Sequence, residues 1–79
     1  MVDNEIISEI VKLLYKNNKK MLRTDIRKET GLEYIDFLKS ISKLEKLGYI
    51  RTYTGSQIKY HRNIYLSDHG GKIAKQLII

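Results

Sequence analysis

Residues 31–50 decide the fold, and they have the sequence GLEYIDFLKSISKLEKLGYI. Apolar residues recur there at helical spacing, and glycines stand at two positions that suit helix ends, Gly31 and Gly48. Glycine commonly follows the last residue of a helix because it adopts a left-handed backbone conformation without steric cost. The stretch therefore predicts that one helix ends at Gly31 and that another runs from about Glu33 to Leu47.

This longer predicted helix has two opposed faces at about 100° per residue. The apolar face forms a core stripe, which comprises Phe37, Ile41 and Leu44, flanked by Tyr34 and Leu38. The opposite face, roughly 80° to 180° from Tyr34, comprises Ile35, Lys39, Ser42, Lys43 and Lys46. A helix fits the major groove of DNA, where Lys39 and Lys43 could reach phosphates, Ser42 a base or phosphate, and Ile35 a thymine methyl. An ordinary surface helix with solvated lysines explains the same face equally well.

A helix is also predicted at the start of the chain, with Asp3 or Asn4 as its N-cap. It ends before the polar run 17–20. Its apolar residues span an arc of about 160° and comprise Ile6, Ile7, Ile10, Val11, Leu13 and Leu14. Because the arc is wider than one core contact needs, we expect it to pack against the core and a second subunit.

Two shorter helices complete the helical set. One lies between an N-cap at Thr24 and Gly31, with Ile26 in the core. The last helix has Ser67 as its N-cap, and we expect it to become regular only after Gly71 because glycine weakens a helix. Its apolar side comprises Ile73, Ala74, Leu77 and Ile78.

Two runs rich in β-branched and aromatic residues, 49–53 and 58–66, predict a two-stranded hairpin. We expect Ile64 and Leu66 at its end to reach the core. The hairpin is free of acids, and its bases, interleaved with tyrosines, are Arg51, Lys59 and Arg62. Such a mixture suits phosphate binding, although cross-strand aromatic pairs in an exposed hairpin also account for the tyrosines.

The charge, length and cysteine content of the chain exclude several classes of protein. The 79 residues hold 15 Lys+Arg against 9 Asp+Glu, a net charge of +6, and residues 41–79 contribute seven bases against two acids. A basic surface concentrates polyanions. This length predicts one domain, 1–79. The absence of cysteine excludes a disulfide scaffold, a cysteine zinc site and a thiol enzyme, and it fits a cytoplasmic location. The chain contains no apolar run of membrane-spanning length.

The sequence contains no residue pattern that indicates catalysis or metal binding. The histidines are His61 and His69, and no set of three or four ligands at metal-binding spacing accompanies them. No nucleophile–base group or phosphate-binding glycine loop is present. We therefore expect no enzyme activity, no metal and no cofactor.

Segment 31–50, above all its ending LEKLGYI, resembles the turn and recognition helix of winged helix-turn-helix regulators. Segment 65–70, YLSDHG, resembles the stretch that leaves the wing in MarR- and PadR-like members. In its small size and its abundance of Ile, Lys and Tyr, the chain resembles winged-helix proteins of archaea, their plasmids and viruses. The resemblance covers nearly the whole chain. It implies an α+β winged-helix fold with three helices, a two-stranded wing and a C-terminal helix.

The resemblance also implies a double-stranded DNA-binding protein that regulates transcription. It places Tyr34, Ile35, Lys39 and Lys43 at DNA-contacting positions of the recognition helix, Thr24 at a phosphate contact, and Lys59 and Arg62 on the wing. Together with Ser42 and Arg51, these are the candidate DNA-binding residues. Members usually pair as homodimers on palindromic sites, and here the first and last helices would form the interface. The alternative is a protein–protein interaction module in a transcription or replication complex, which the acids Glu33 and Asp36 favour.

Overall fold

The fold is α+β, as predicted. A computed structural model describes residues 4–51 and 63–78, and over these ranges it has four helices and three strands. In chain order they are α1 (Asn4–Lys16), β1 (Lys20–Leu22), α2 (Arg23–Thr30), α3 (Tyr34–Lys46), β2 (Ile50–Arg51), β3 (Asn63–Leu66) and α4 (Asp68–Ile78). Asp3, one of the two predicted caps of α1, and most of the predicted hairpin, residues 52–62, lie outside the described residues.

The sheet has three antiparallel strands in the order β1-β3-β2. The predicted pairing of the two hairpin strands is confirmed where both are described, because β2 pairs antiparallel with β3. β1 adds a third strand that was not predicted. Of its residues, Lys20 was predicted to belong to the polar run after α1, and Met21 and Leu22 to no element. β1 is three residues long, too short for an alternating pattern to be visible in the sequence. Pairing with β3 places Met21 opposite Ile64, while β2 places Ile50 opposite Leu66.

One hydrophobic core joins all four helices to the sheet. Its buried residues are Ile7, Ile10, Val11, Leu14, Ile26, Phe37, Ile41, Leu44, Ile50, Ile64, Leu66 and Ala74. The predicted burial of the α3 stripe and of Ile64 and Leu66 is confirmed. Tyr34 was wrongly placed at the flank of that stripe, because its side chain is 58% exposed. Ser40 is fully buried instead, and its hydroxyl donates to the Asp36 carbonyl over 2.8 Å.

Left-handed residues end the helices α2 and α3. The φ angles of Gly31 and Gly48 are 69° and 77°, which confirms both predicted glycine ends. The Gly31 N–H donates to the Arg27 carbonyl over 2.9 Å. The Tyr49 N–H donates to the Leu44 carbonyl over 3.0 Å, which satisfies a carbonyl in the last turn of α3.

The end of α1 follows the same rule with asparagine in place of glycine. Asn18 has a φ of 61°, and the Lys19 N–H donates to the Leu14 carbonyl over 2.8 Å. Asparagine tolerates this conformation better than most residues. The Lys19 carbonyl then accepts the Leu66 N–H over 2.9 Å, so the turn leads directly into the sheet.

Two predicted helix starts need correction. α2 begins at Arg23, and Thr24 is not its N-cap: Leu22 holds that position without a side-chain hydrogen bond, because β1 continues straight into the helix. α4 begins at Asp68 and includes Gly71, rather than becoming regular only after it. The predicted cap of α4 is confirmed, since the Gly70 N–H donates to the Ser67 hydroxyl over 3.0 Å.

Much of the wide apolar arc of α1 is covered within the chain. Four of its residues are buried, and Ile6 and Leu13 are partly buried against the core. Tyr15 on the same helix also packs against the core. α4 lies against α1 and supplies part of this cover. None of the helices in the described ranges is long and apolar enough to cross a membrane.

Candidate nucleic-acid interface

The face of α3 that turns away from the core is exposed along its whole length. Its residues are Ile35, Lys39, Ser42, Lys43 and Lys46, and each is exposed. Ile35, Lys39 and Lys43 follow one another at four-residue intervals and therefore form a row along the helix. The structure thus brings four predicted contact residues, the three of the row and Ser42, onto one surface, which we call the α3 face.

The acidic residues near α3 lie at its borders. Glu33 precedes the helix and Glu45 lies near its end, and both are exposed. Asp36 is half-buried beside the Ser40 side of the helix, where its carbonyl accepts the serine hydroxyl. The centre of the α3 face therefore presents positive charge and one large apolar side chain, Ile35, which is 64% exposed.

Two arginines of α2 lie over two aromatic rings of α3. The Arg23 guanidinium is 5.9 Å from the centre of the Phe37 ring, and the Arg27 guanidinium is 5.6 Å from that of Tyr34. Arg27 also donates from Nε to the Leu32 carbonyl over 3.2 Å. Sequence reasoning missed this pairing. The sequence pattern that could have predicted it is two arginines four residues apart, Arg23 and Arg27, followed after a short turn by two aromatic residues three apart, Tyr34 and Phe37.

Thr24, the predicted phosphate contact, lies in the first turn of α2, about one helical turn before Arg27. Thr24 is exposed and lines an open groove of about 270 Å³. The other residues that line this groove are Arg27, Lys28, Gly31 and Leu32. Arg27 therefore both lines the groove and contacts Tyr34, the first residue of α3.

The outer face of the sheet carries a row that the sequence did not predict. Tyr65 on the central strand stands opposite Lys20 on β1 and opposite Arg51 on β2. Directly paired residues project to the same face of a sheet. That face is the outer one, because the neighbours of Tyr65 along β3, Ile64 and Leu66, are buried. Arg51, a predicted contact, is exposed beside Tyr65, as is Lys20. The predicted contacts Lys59 and Arg62 lie outside the described residues.

Hydrogen bonds hold the end of α3 to the start of α4. The Ser67 N–H donates to the Tyr49 carbonyl over 2.9 Å, and its hydroxyl donates to the Gly48 carbonyl over 2.6 Å. The ring of His69, in the first turn of α4, lies 5.1 Å from the Tyr49 ring. These contacts hold the turn that follows α3 against the start of α4.

Residues 4–51 and 63–78 contain no group of three or more His, Asp or Glu side chains that could hold a metal ion. Comparison with protein-family models, with curated protein sequences and with solved structures yields no match for this chain. Any functional conclusion therefore depends on the geometry of the chain itself.

Proposed function

We propose that this protein binds double-stranded DNA in a sequence-specific manner and regulates transcription as a cytoplasmic, nucleoid-associated protein. In this proposal the fold is a winged helix. α3 lies in the major groove, and the segment between β2 and β3, with Lys59 and Arg62, contacts the phosphate backbone. The observation that carries the proposal is the α3 face, which is exposed, basic and directly opposed to the core stripe of the same helix.

The side chains of the α3 face suit both parts of DNA recognition. Lys39 and Lys43 supply charge for phosphates or guanine edges, and Ser42 can hydrogen-bond to a base or a phosphate. Ile35 offers an apolar surface that matches a thymine methyl group. The firm connection of α3 to α4 through Ser67 supports the proposal, since a recognition helix must be held at a fixed angle to read bases.

Selection of bound duplexes from a random pool, followed by footprinting of the enriched sequence, tests this function. We expect an enriched consensus and protection of that sequence by the wild-type chain. A variant with Lys39→Ala and Lys43→Ala serves as the control and should enrich nothing. Recovery of unenriched sequences by the wild-type chain would contradict sequence-specific binding.

A protein-interaction module is the second candidate. It is favoured by the exposed apolar pair Tyr34 and Ile35, which are 58% and 64% exposed beside the acidic Glu33. Such a pair resembles the aromatic and aliphatic anchors of protein interfaces. A 1:1 complex with a protein partner, together with no duplex affinity at low salt, would favour this candidate over DNA binding.

The proposal includes a homodimer that places two copies of α3 about 34 Å apart, one turn of DNA. Leu77 and Ile78, in the last turn of α4, support it because they are 41% and 44% exposed. The α1 arc contributes less than the sequence suggested, since the same chain covers much of it. A palindromic consensus from the selection would fit this arrangement.

A further inference from the structure

Arg27 occupies an unusual position between the two helices of the proposed DNA-binding unit. Its backbone carbonyl accepts the Gly31 N–H, and its Nε donates to the Leu32 carbonyl over 3.2 Å. Its guanidinium then lies 5.6 Å from the centre of the Tyr34 ring. One residue thus spans the whole turn, from the last turn of α2 to the first residue of α3.

The hydrogen bond to Leu32 matters because it fixes the guanidinium independently of Tyr34. An arginine held by a backbone acceptor at Nε presents its plane in a defined direction. Tyr34 is more than half exposed, and an exposed tyrosine without such a neighbour samples several rotamers. The guanidinium over its ring restricts this freedom through a cation–π contact.

We propose that Arg27 is a positioning residue for DNA recognition: it orients Tyr34 and the first turn of α3 and thereby contributes to base specificity. This inference rests on the proposed function. Tyr34 and Ile35 are the first two residues of α3, where a recognition helix contacts base edges. Lysine cannot replace Arg27 in this role, because it has neither the planar group nor an Nε–H donor in a fixed fork.

Arg23 provides a matched control within the same helix. Its guanidinium lies over Phe37 at a similar distance, 5.9 Å, but the Phe37 ring is 3% exposed and belongs to the core. Replacing Arg23 therefore removes the same kind of contact, one turn away, without releasing a residue of the proposed recognition surface.

The test compares Arg27→Lys with Arg23→Lys, since both keep the charge. The measured quantity is the ratio of affinities for the selected duplex and a scrambled duplex. We expect Arg27→Lys to lower this ratio about fivefold, the scale of a lost cation–π contact and hydrogen bond. The salt dependence should stay unchanged, as should the ratio for Arg23→Lys. Thermal unfolding of each variant checks that it folds.

A second measurement examines the free protein. Nuclear Overhauser contacts between the side chain of residue 27 and the Tyr34 ring should be present in the wild type and absent from Arg27→Lys. Their absence from the wild type would overturn the inference. So would an unchanged affinity ratio in Arg27→Lys, or a reduced salt slope in Arg27→Ala with unchanged specificity, which would make Arg27 a direct phosphate contact. A wild-type chain that fails to discriminate the two duplexes would overturn the proposed function instead.

Discussion

Gly70 packs its backbone directly against the carbonyl oxygen of Tyr49. A Cβ atom built on Gly70 overlaps that oxygen and lies 2.7 Å from the Cδ1 atom of Leu66. The start of α4 can therefore approach the residue that links α3 to β2 only because position 70 has no side chain. The adjacent Gly71 is different, since its Cβ would meet the Lys19 side chain at ordinary distances of 3.6 and 3.7 Å.

The first prediction compares alanine at these two glycines. Gly70→Ala should lower the free energy of unfolding by about 1–3 kcal/mol, because the backbone of Tyr49 cannot yield to the new methyl group. Gly71→Ala should raise it by up to about 1 kcal/mol, the gain in helix propensity. Urea unfolding of both variants measures the two changes. Equal effects at the two positions would contradict the close approach at Gly70.

The second prediction concerns Ser67, which both caps α4 and holds the end of α3. Ser67→Ala removes the acceptor for the Gly70 N–H and the donor to the Gly48 carbonyl. We expect a loss of about 1–2 kcal/mol in thermal or urea unfolding. Ser67→Asp keeps the cap and removes the donor, so it should recover part of that loss.

Ser42→Ala is the control for Ser67, because Ser42 is exposed on α3. It should change the free energy of unfolding by less than about 0.5 kcal/mol. A Ser67→Ala variant as stable as Ser42→Ala would show that Ser67 does not join the two helices.

The third prediction addresses the row Lys20–Tyr65–Arg51 on the outer sheet face. If this face contacts backbone phosphates, Lys20→Ala and Arg51→Ala should weaken binding to selected and scrambled duplexes alike. Each should reduce the slope of log affinity against log salt by about 0.9. Lys16→Ala, an exposed base at the end of α1, is the control in fluorescence titrations. Loss confined to the selected duplex would argue against a phosphate contact.

The fourth prediction tests the homodimer through the last turn of α4. Light scattering at micromolar concentration should give the mass of two chains for the wild type. Leu77→Lys with Ile78→Lys should give the mass of one chain, because charges at an apolar interface oppose association. The matched variant Lys72→Gln should remain dimeric. A monomeric wild type would contradict the homodimer. It would not contradict DNA binding by a single chain.

Regular periodicity and glycine ends made much of this fold predictable. The buried stripe of α3, the helix ends at Gly31 and Gly48, and the Ser67 cap follow from short-range patterns. β1 did not, because three residues leave no period to detect and only pairing with β3 makes Lys20–Leu22 a strand. The same miss explains the wrong cap at Thr24 and the absence of Lys20 from the predicted site.

The remaining errors arise from contacts between elements distant in sequence. The two glycines of α4 suggested a weak helix start, whereas packing of Gly70 on Tyr49 requires a residue without a side chain there. The helical angle of Tyr34 predicted a place beside the core, yet its side chain is 58% exposed and its ring lies against the guanidinium of Arg27. The α3 face was predictable because an exposed face depends on one helix only.

The measurement that tests the central claim most directly is the salt dependence of duplex affinity. Lys39→Ala with Lys43→Ala should lower affinity for the selected duplex on the order of tenfold to a hundredfold at ~0.1 M salt, and it should reduce the salt slope by about 1.8. Lys72→Ala with Lys75→Ala removes the same charge from α4 and should leave the slope unchanged. Equal losses from the two double variants, or an unchanged slope in the α3 variant, would contradict DNA recognition by the α3 face.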